Sequence, residues 1–387
     1  MAERKFKLPG INNLSKEQEA ARSLPKKGQY LITGGPGTGK SILALLRCRR
    51  HARDREDYIF LVFNHLLNQA SGQLFADSLN SRQWQSWFLK IFHRLTGRQA
   101  PKKPANKSGF RDIDWDQSLE IIQNSAEIIN EKRPYLIIDE GQDMPPQFYQ
   151  ALAELGFENF YVVADDNQQI TLENSRIDEI QNILCLTRDD IIELKTNYRN
   201  TYPTARLARE FCLNRKKSPP ALPAPQKDSI IPLFVKYDGH RKISFSEVIK
   251  RILKEADRSP SRLIGIITAN NKVRERYYEH LKSTAVSLDN TPRIATYAHG
   301  SKHNLAFKEG GILVINANSC KGLEFNTVYL TDLDQFSYWP EIKEKMIKLF
   351  YVIIARAIDR VILLRQADKP CPIAEIIPRN PNIIERR

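Results

Sequence analysis

The stretch Gly34-Gly35-Pro36-Gly37-Thr38-Gly39-Lys40-Ser41 decides the fold of this 387-residue chain. It has the form G-x-x-x-x-G-K-[ST], it follows an apolar run at 29–33, and it opens a helical pattern at 42–50. The glycines, Gly37 and Gly39 among them, allow backbone N–H groups to surround phosphate oxygens without a Cβ in the way. Thr38 lies inside the same loop, Lys40 is expected to reach the β- and γ-phosphates, and the Ser41 hydroxyl to hold Mg²⁺. The segment therefore predicts a strand, a phosphate-binding loop and a helix.

A second apolar run ends in two carboxylates, Asp139 and Glu140. Such a strand presents its last residues at the carboxyl edge of a parallel sheet, where open α/β folds bind ligands. Asp139 is expected to hold the Mg²⁺ shell, and Glu140 to orient and polarise an attacking water. Two acids after a strand can also do no more than cap a helix, but the phosphate loop in the same chain favours the site.

Short apolar runs alternate with longer polar segments of helical length along the whole chain, which predicts the α/β class with parallel sheets. The predicted strands are 29–33, 58–63, 135–138, 161–164, 230–235, 263–268, 312–316, 327–330 and 361–364. The proline-rich segment 215–227 interrupts this pattern and lies near the expected domain boundary. We predict two α/β domains, 1–193 and 194–387, and a surface loop or linker at 99–109. The tail 366–387 is assigned no element, and it either docks a partner or frays.

Composition narrows the functional class. The chain carries a net charge of +14, which favours binding to phosphate backbones without requiring it. The sequence contains no apolar run of membrane-spanning length, and its first residues lack the apolar core of a signal peptide, so we expect neither a membrane span nor a signal peptide. Its five cysteines are scattered and form no C-x-x-C pair, so neither a disulfide framework nor a zinc site is predicted. We expect a cytoplasmic protein that does not associate with a membrane.

The acid pair extends to Asp139-Glu140-Gly141-Gln142-Asp143, and with it the chain resembles a UvrD/Rep-type superfamily 1 DNA helicase. The D-E-x-Q-D form belongs to that family, and six further segments resemble family motifs in the same order. They are 14–20 (Q motif), 60–65 (Ia), 164–170 (III), 194–199 (IV), 320–325 (V) and 350–357 (VI). The resemblance runs from about residue 14 to residue 364, and it implies two tandem RecA-like domains that use ATP and Mg²⁺.

The resemblance also implies roles on the first half of the chain. Gln18 would read the adenine edge, and Gln168 would link the γ-phosphate to the strand-binding surface. Phe63 and Asn64 of motif Ia would contact the nucleic-acid strand.

In the second half, Tyr198 would stack on the nucleotide base and Arg199 would act as an arginine finger on the γ-phosphate. Arg356 would be the second finger, and Gly322 and Glu324 would lie at the nucleotide, Glu324 near its sugar. If both arginines act from the second domain, hydrolysis requires the domains to close, which is the motion that a translocase needs.

Several positions depart from the family pattern. Thr171 stands where motif III usually has an aromatic residue, Ala164 stands for glycine, and Ala355 stands for threonine. In motif V, Asn316 and Asn318 stand where threonine and histidine are common. A base–aromatic stack contributes about 1–3 kcal/mol per base, so the change at Thr171 weakens the predicted grip on the strand.

Trp84 and Trp87 lie where the family has motif Ib. Their rings could stack on bases of the strand, or they could pack in the core of the domain. The sequence does not choose between these two interpretations.

Two functions follow from the resemblance. The first is an ATP-dependent translocase or helicase on single-stranded DNA, moving 3′ to 5′, with RNA not excluded as substrate. The second is a DNA-sensing ATPase subunit that regulates a partner, such as a nuclease in an anti-phage system, without processive unwinding. The spacing of the motifs leaves no room for large accessory domains, which favours dependence on a protein partner.

Overall fold

The computed structural model describes residues 14–63, 79–105, 111–125, 128–129, 131–165, 174–213, 221–226, 229–238, 243–297 and 309–387. These residues form two compact units. One includes residues 14–34 and Gly39–Leu194, and the other includes Lys195–Arg387 together with Gly35–Thr38 of the phosphate loop. Each unit is built on one sheet with helices along it.

The sheet of the first unit has six strands in the order β3-β2-β4-β5-β1-β6, and every neighbouring pair is parallel. The strands are β1 (Gln29–Gly34), β2 (Tyr58–Val62), β3 (Ser81–Gln83), β4 (Tyr135–Ile138), β5 (Phe160–Ala164) and β6 (Ile191–Leu194). The helices are α1 (Lys16–Ser23), α2 (Lys40–Arg53), α3 (Trp84–Thr96), α4 (Trp115–Gln123), α5 (Pro146–Glu154) and α6 (Ile177–Ile183). Because β1 lies between β5 and β6, both edges of the strand that precedes the phosphate loop are paired.

Alternate residues of these strands enter two separate cores, as period-two geometry requires. Leu31 and Ile138 pack on one face with Phe88 of α3 and Phe148 of α5. Ile32 and its neighbours pack on the other face with the apolar side of α2. Burial on both faces explains why the strands are continuous apolar runs in the sequence.

The sheet of the second unit has seven strands in the order β13-β7-β12-β11-β8-β10-β9, and it is also parallel throughout. The strands are β7 (Leu233–Tyr237), β8 (Leu263–Thr268), β9 (Ile294–Thr296), β10 (Gly311–Asn316), β11 (Phe325–Leu330), β12 (Ala357–Gln366) and β13 (Glu385–Arg386). The helices are α7 (Tyr202–Glu210), α8 (Phe245–Arg258), α9 (Asn271–Ser283) and α10 (Lys343–Ala355). Helices α8 and α9 cover one face, while α7 and α10 contact each other and β12.

The predicted α/β class with parallel sheets is confirmed, but the structure corrects two details. The strand predicted at 230–235 begins at Leu233, because Pro232 before it has no N–H for a ladder bond. The tail 366–387 does not fray: it forms a short 3₁₀ helix, Pro372–Ile376, and then β13, which pairs with β7. Ile373, Ile377 and Ile384 are buried there, so this segment completes the protein's own fold.

Among the described residues, no helix combines the length and the apolar character that crossing a membrane requires.

Candidate functional site

The phosphate loop joins β1 to α2 through two glycines in the left-handed region. Gly37 has φ 75° and Gly39 has φ 94°, values that L side chains rarely adopt. A Cβ at Gly39 would also lie 2.6 Å from Gln18 Nε2, so the loop backbone and the Gln18 amide are in direct contact. The loop needs glycine at these positions for both reasons, and it ends at the N-terminus of a 14-residue helix.

Lys40 and Ser41 follow the loop on the first turn of α2. Lys40 Nζ donates to the carbonyl oxygen of Gly34 at 2.6 Å and lies 3.7 Å from Asp165 Oδ2. The Ser41 hydroxyl donates to Asp139 Oδ1 at 3.2 Å. The structure therefore brings together the lysine and the two oxygen ligands that the sequence assigned to one site.

The Ser41 and Asp139 oxygens fit a small divalent cation. Mg²⁺ binds oxygen ligands octahedrally with bonds of about 2.0–2.1 Å, which sets neighbouring oxygens about 2.9 Å apart. The observed separation of 3.2 Å is close to this value. Burial, and next the Glu140 carboxylate, raise the pKa of Asp139 to about 7. Coordination would favour the ionised carboxylate, because a metal ligand must be deprotonated.

Glu140 has φ 52°, an uncommon conformation for a residue with a side chain. Its carboxylate accepts a hydrogen bond from Gln142 Nε2 at 2.7 Å, and its N–H donates to Asp139 Oδ1 at 3.0 Å. Strained backbone of this kind persists where the surroundings hold it, and it is frequent at functional sites. Here the turn directs two neighbouring carboxylates to one place at the end of β4.

Gln142 is a residue whose role the sequence did not reveal. Its side chain is fully buried; besides donating to Glu140, it accepts the N–H of Asp165 at 2.9 Å. Gly141 beside it has no space for a side chain, since a Cβ would lie 2.4 Å from Val162 Cγ1 and 2.7 Å from the Tyr149 hydroxyl. The D-E-G-Q-D turn is thus packed onto β5, and Gln142 ties Glu140 to the start of motif III.

Gln18, the predicted adenine reader, also closes a capping box at the start of α1. Its Oε1 accepts the N–H of Ser15 at 3.0 Å, and its own N–H donates to the Ser15 hydroxyl at 3.2 Å. The amide nitrogen is the atom that faces Gly39. The side chain is therefore held beside the phosphate loop by the helix cap.

In the second unit, the structure brings motif IV and motif V together. Arg199 forms an ion pair with Glu324, and both side chains are partly buried. Gly322, two residues before Glu324, takes the left-handed conformation with φ 80°. Tyr198 is 57% exposed, so its ring is available for stacking.

The loop residue Gly37 belongs to this unit by its contacts, and it touches motif IV. Tyr198 N–H donates to the Gly37 carbonyl oxygen at 2.8 Å. A Cβ at Gly37 would lie 2.1 Å from Asn197 Oδ1. Thr38 also lies in this segment, is 1% exposed, and donates from its hydroxyl to the carbonyl oxygen of Gly35.

Arg356 ends α10 and is only 3% exposed. Its N–H donates to Ile353 O at 3.1 Å, and its carbonyl oxygen accepts the N–H of Phe325 at 2.9 Å. The second of these bonds joins motif VI to motif V. Burial raises the pKa of the Cys320 thiol to about 11, and the nearby positive charge of Arg356 offsets part of this rise.

The structure places Trp84 and Trp87 in the core and not on the nucleic-acid surface, where their rings could have stacked on bases. They are 8% and 9% exposed, and their rings pack edge-on against Phe148 and Phe157. Both belong to the hydrophobic core of the first unit. A ring buried in this way has no free face for a base, so the alternative of core packing is the one observed.

The other nucleic-acid residues predicted from motif Ia are only partly placed. Phe63 follows β2, is half-buried against the core, and accepts a hydrogen bond from Gln83 at its carbonyl oxygen. Asn64 lies outside the described residues, as do Gln168 and Thr171 of motif III.

Solved structures with a likeness to this chain include two helicases. The C-terminal domain of a possible DNA helicase from Lactobacillus plantarum WCFS1 aligns with 49% of this chain and 99% of its own, at 18% identity and a TM-score of 0.35. Arterivirus nonstructural protein 10, a helicase, aligns with 94% of this chain and 64% of its own, at 12% identity and a TM-score of 0.38. At these TM-scores neither likeness decides fold or function.

Among sequences, none of the curated proteins matches the chain. A family model described as an AAA domain matches residues 17–173. The matched region contains Lys40, Ser41, Asp139 and Glu140, which are the residues of the phosphate loop and the acid pair described above. The part of the chain that carries this site is thus similar to the AAA domain family.

Proposed function

We propose that this protein is a nucleic-acid-dependent ATPase of superfamily 1, which uses ATP to move 3′ to 5′ along single-stranded DNA. The observation that carries the proposal is the cluster of Lys40 and Ser41, on the first turn of α2, with Asp139, which follows β4. A lysine, a hydroxyl and a carboxylate in this arrangement are the groups that hold a triphosphate and its Mg²⁺ in P-loop enzymes. The AAA-domain match over the same residues supports it.

In this proposal residues 1–193 and 194–387 are two RecA-like motor domains, and the protein acts in the cytoplasm. Glu140 orients the attacking water and takes up its proton, while Gln142 holds the Glu140 carboxylate in place. Arg199 and Arg356 neutralise charge that develops on the γ-phosphate, and Tyr198 stacks on the base. Mg²⁺ bound at Ser41 and Asp139 supplies further charge neutralisation on the phosphates.

A second function is favoured by one observation. Because Trp84 and Trp87 are core residues, the first unit offers fewer aromatic faces to a strand than the sequence suggested. Weak stacking suits an ATPase that senses DNA and regulates a partner, such as a nuclease, more than a processive helicase. We propose this regulatory subunit as the alternative.

Steady-state ATP hydrolysis by the purified protein tests the proposal. Turnover is measured without nucleic acid and then with single-stranded DNA, duplex DNA or single-stranded RNA. The Glu140→Gln variant, purified in the same way, serves as the control for contaminating ATPases. We expect single-stranded DNA to stimulate turnover strongly. Strand displacement on duplexes with a 3′ or a 5′ overhang then separates a translocating helicase from a sensor and gives the polarity. If none of these nucleic acids changes the rate of ATP hydrolysis, the motor proposal is overturned.

A further inference from the structure

Two buried asparagines, Asn197 and Asn200, connect the backbone at Arg199 to the backbone on either side of Arg356. They are 7% and 3% exposed, and Asn197 Nδ2 donates to Asn200 Oδ1 at 2.8 Å. We refer to this pair as the asparagine clamp. Its remaining hydrogen bonds go to the backbone next to Arg199 and Arg356.

On the motif IV side, Asn197 Oδ1 accepts two backbone N–H groups. The N–H of Arg199 lies 3.0 Å away and that of Asn200 lies 3.2 Å away. This arrangement folds residues 197–200 into a tight turn, which fixes the direction in which the Arg199 side chain leaves the backbone. The same oxygen is the atom that abuts Gly37.

On the motif VI side, Asn200 Nδ2 donates to the carbonyl oxygens of Ala355, at 3.1 Å, and Ala357. These two residues flank Arg356, which passes from the end of α10 into β12. One amide group therefore spans the peptide units on both sides of the arginine. Because both of its partners are acceptors, the amide has a single orientation, and only a group with two donors can replace it.

We propose that the asparagine clamp is a positioning device that sets Arg199 and Arg356 jointly for the γ-phosphate. The proposal rests on the function proposed above for the two arginines. Misplacing a catalytic group by about 1 Å can cost about 100-fold in rate, so a shared clamp affects turnover more than nucleotide binding. The clamp residues act through the arginines and need not touch ATP themselves.

The first test is the turnover of Asn200→Asp, which has nearly the same shape but places an acceptor against two carbonyl oxygens. We expect kcat to fall about 10- to 100-fold while KM for ATP changes less than about threefold. Asn197→Asp keeps the oxygen that holds Arg199 and places one acceptor against Asn200 Oδ1, compared with two unfavourable contacts in Asn200→Asp, so its loss should be smaller. It is also the second probe if Asn200→Asp folds poorly. A wild-type kcat in both variants overturns the proposal.

Thr204→Val is the matched control. Thr204 is fully buried, and its hydroxyl donates to the carbonyl oxygen of Asp359 at 3.3 Å, close to the clamp in the same unit. This variant loses that bond and the one that the Thr204 hydroxyl accepts from the Thr201 hydroxyl at 3.2 Å, and neither bond involves the backbone next to Arg199 or Arg356. We expect its kcat to remain at the wild-type value. A loss equal to that of Asn200→Asp would show a general structural effect and overturn the clamp.

A double-mutant cycle that combines Asn200→Asp with Arg356→Ala separates the positioning role of Asn200 from the proposed function of Arg356. The slow turnover of these variants is measured with radiolabelled ATP. If Arg356→Ala itself retains wild-type kcat, the finger role fails. If Arg356→Ala is slow, we expect Asn200→Asp to add much less than its effect in the wild-type background, because its effect passes largely through Arg356. Full additivity would mean that Asn200 acts independently of this arginine, and it would overturn the positioning role.

Discussion

Gln142 holds the carboxylate of Glu140 at 2.7 Å, and it is itself held by the N–H of Asp165 at 2.9 Å. The amide thus joins the end of β4 to the end of β5. A carboxylate with a fixed neighbour presents its other oxygen in a defined direction, which a water-activating base requires. The relationship explains why a glutamine follows the acid pair by two residues.

Replacing Gln142 with leucine should lower kcat for ATP about 10- to 100-fold, because the Glu140 carboxylate loses its fixed orientation. ATP affinity should change little, since the hydrogen bonds of the Gln142 side chain go to Glu140 and to the N–H of Asp165. Gln150→Leu is the control, because Gln150 on α5 bonds only to Glu154 in the described part of the chain. Equal kcat values for the two variants would contradict the role of Gln142.

Glu140→Gln should lower turnover by about 10²- to 10⁴-fold while ATP still binds, because the amide cannot accept the proton of water. Lys40→Ala should instead weaken ATP binding, because Lys40 lies on the first turn of α2, directly after the phosphate loop. Fluorescent-nucleotide titration and hydrolysis rates distinguish the two effects. Normal hydrolysis by Glu140→Gln would show that the base lies elsewhere.

Tyr198→Ala should raise the dissociation constant for ATP about 5- to 150-fold, which corresponds to the loss of a base stack of about 1–3 kcal/mol. Tyr198→Phe keeps the ring and should bind normally. Because Tyr198 is 57% exposed, neither change should lower the free energy of unfolding appreciably. Unchanged ATP affinity in the alanine variant would remove Tyr198 from the nucleotide site.

Trp87→Ala should lower the free energy of unfolding by about 3–5 kcal/mol, as expected for a large side chain removed from a core. Trp87→Phe retains much of the apolar volume and should lose less. Urea unfolding measures both losses. If Trp87→Phe keeps full stability but binds single-stranded DNA much more weakly than the wild type, the ring contacts the strand after all.

Much of the fold could be read from the sequence, because strands buried on both faces are continuous apolar runs. The predicted strand 135–138 coincides with β4, and 263–268 coincides with β8. β3, β9 and β13 were missed because they have three, three and two residues, too few for any periodic signal. β6 was missed because Glu193 interrupts its short apolar run. The packed tail was missed because its isoleucines are separated by prolines and arginines.

The site was predictable where a motif fixes chemistry, as at Ser41 and Asp139, which are 98 residues apart in sequence and share a hydrogen bond. It was not predictable where a role depends on which way a side chain points. Trp84 has the same sequence signature whether it stacks on a base or packs on Phe148. The bonds of Asn200 to residues about 155 positions later in the chain left no local pattern either.

The position of β1 has a consequence for how the protein is made. Leu31 pairs with Val162 on one side and with Ile191 on the other, about 130 and 160 residues further along the chain. A ribosome adds about 5–20 residues per second, so the strand waits roughly seven to thirty seconds for its neighbours. During that interval the phosphate loop has no completed sheet beneath it, and a nascent chain shorter than about 190 residues should be unable to retain ATP.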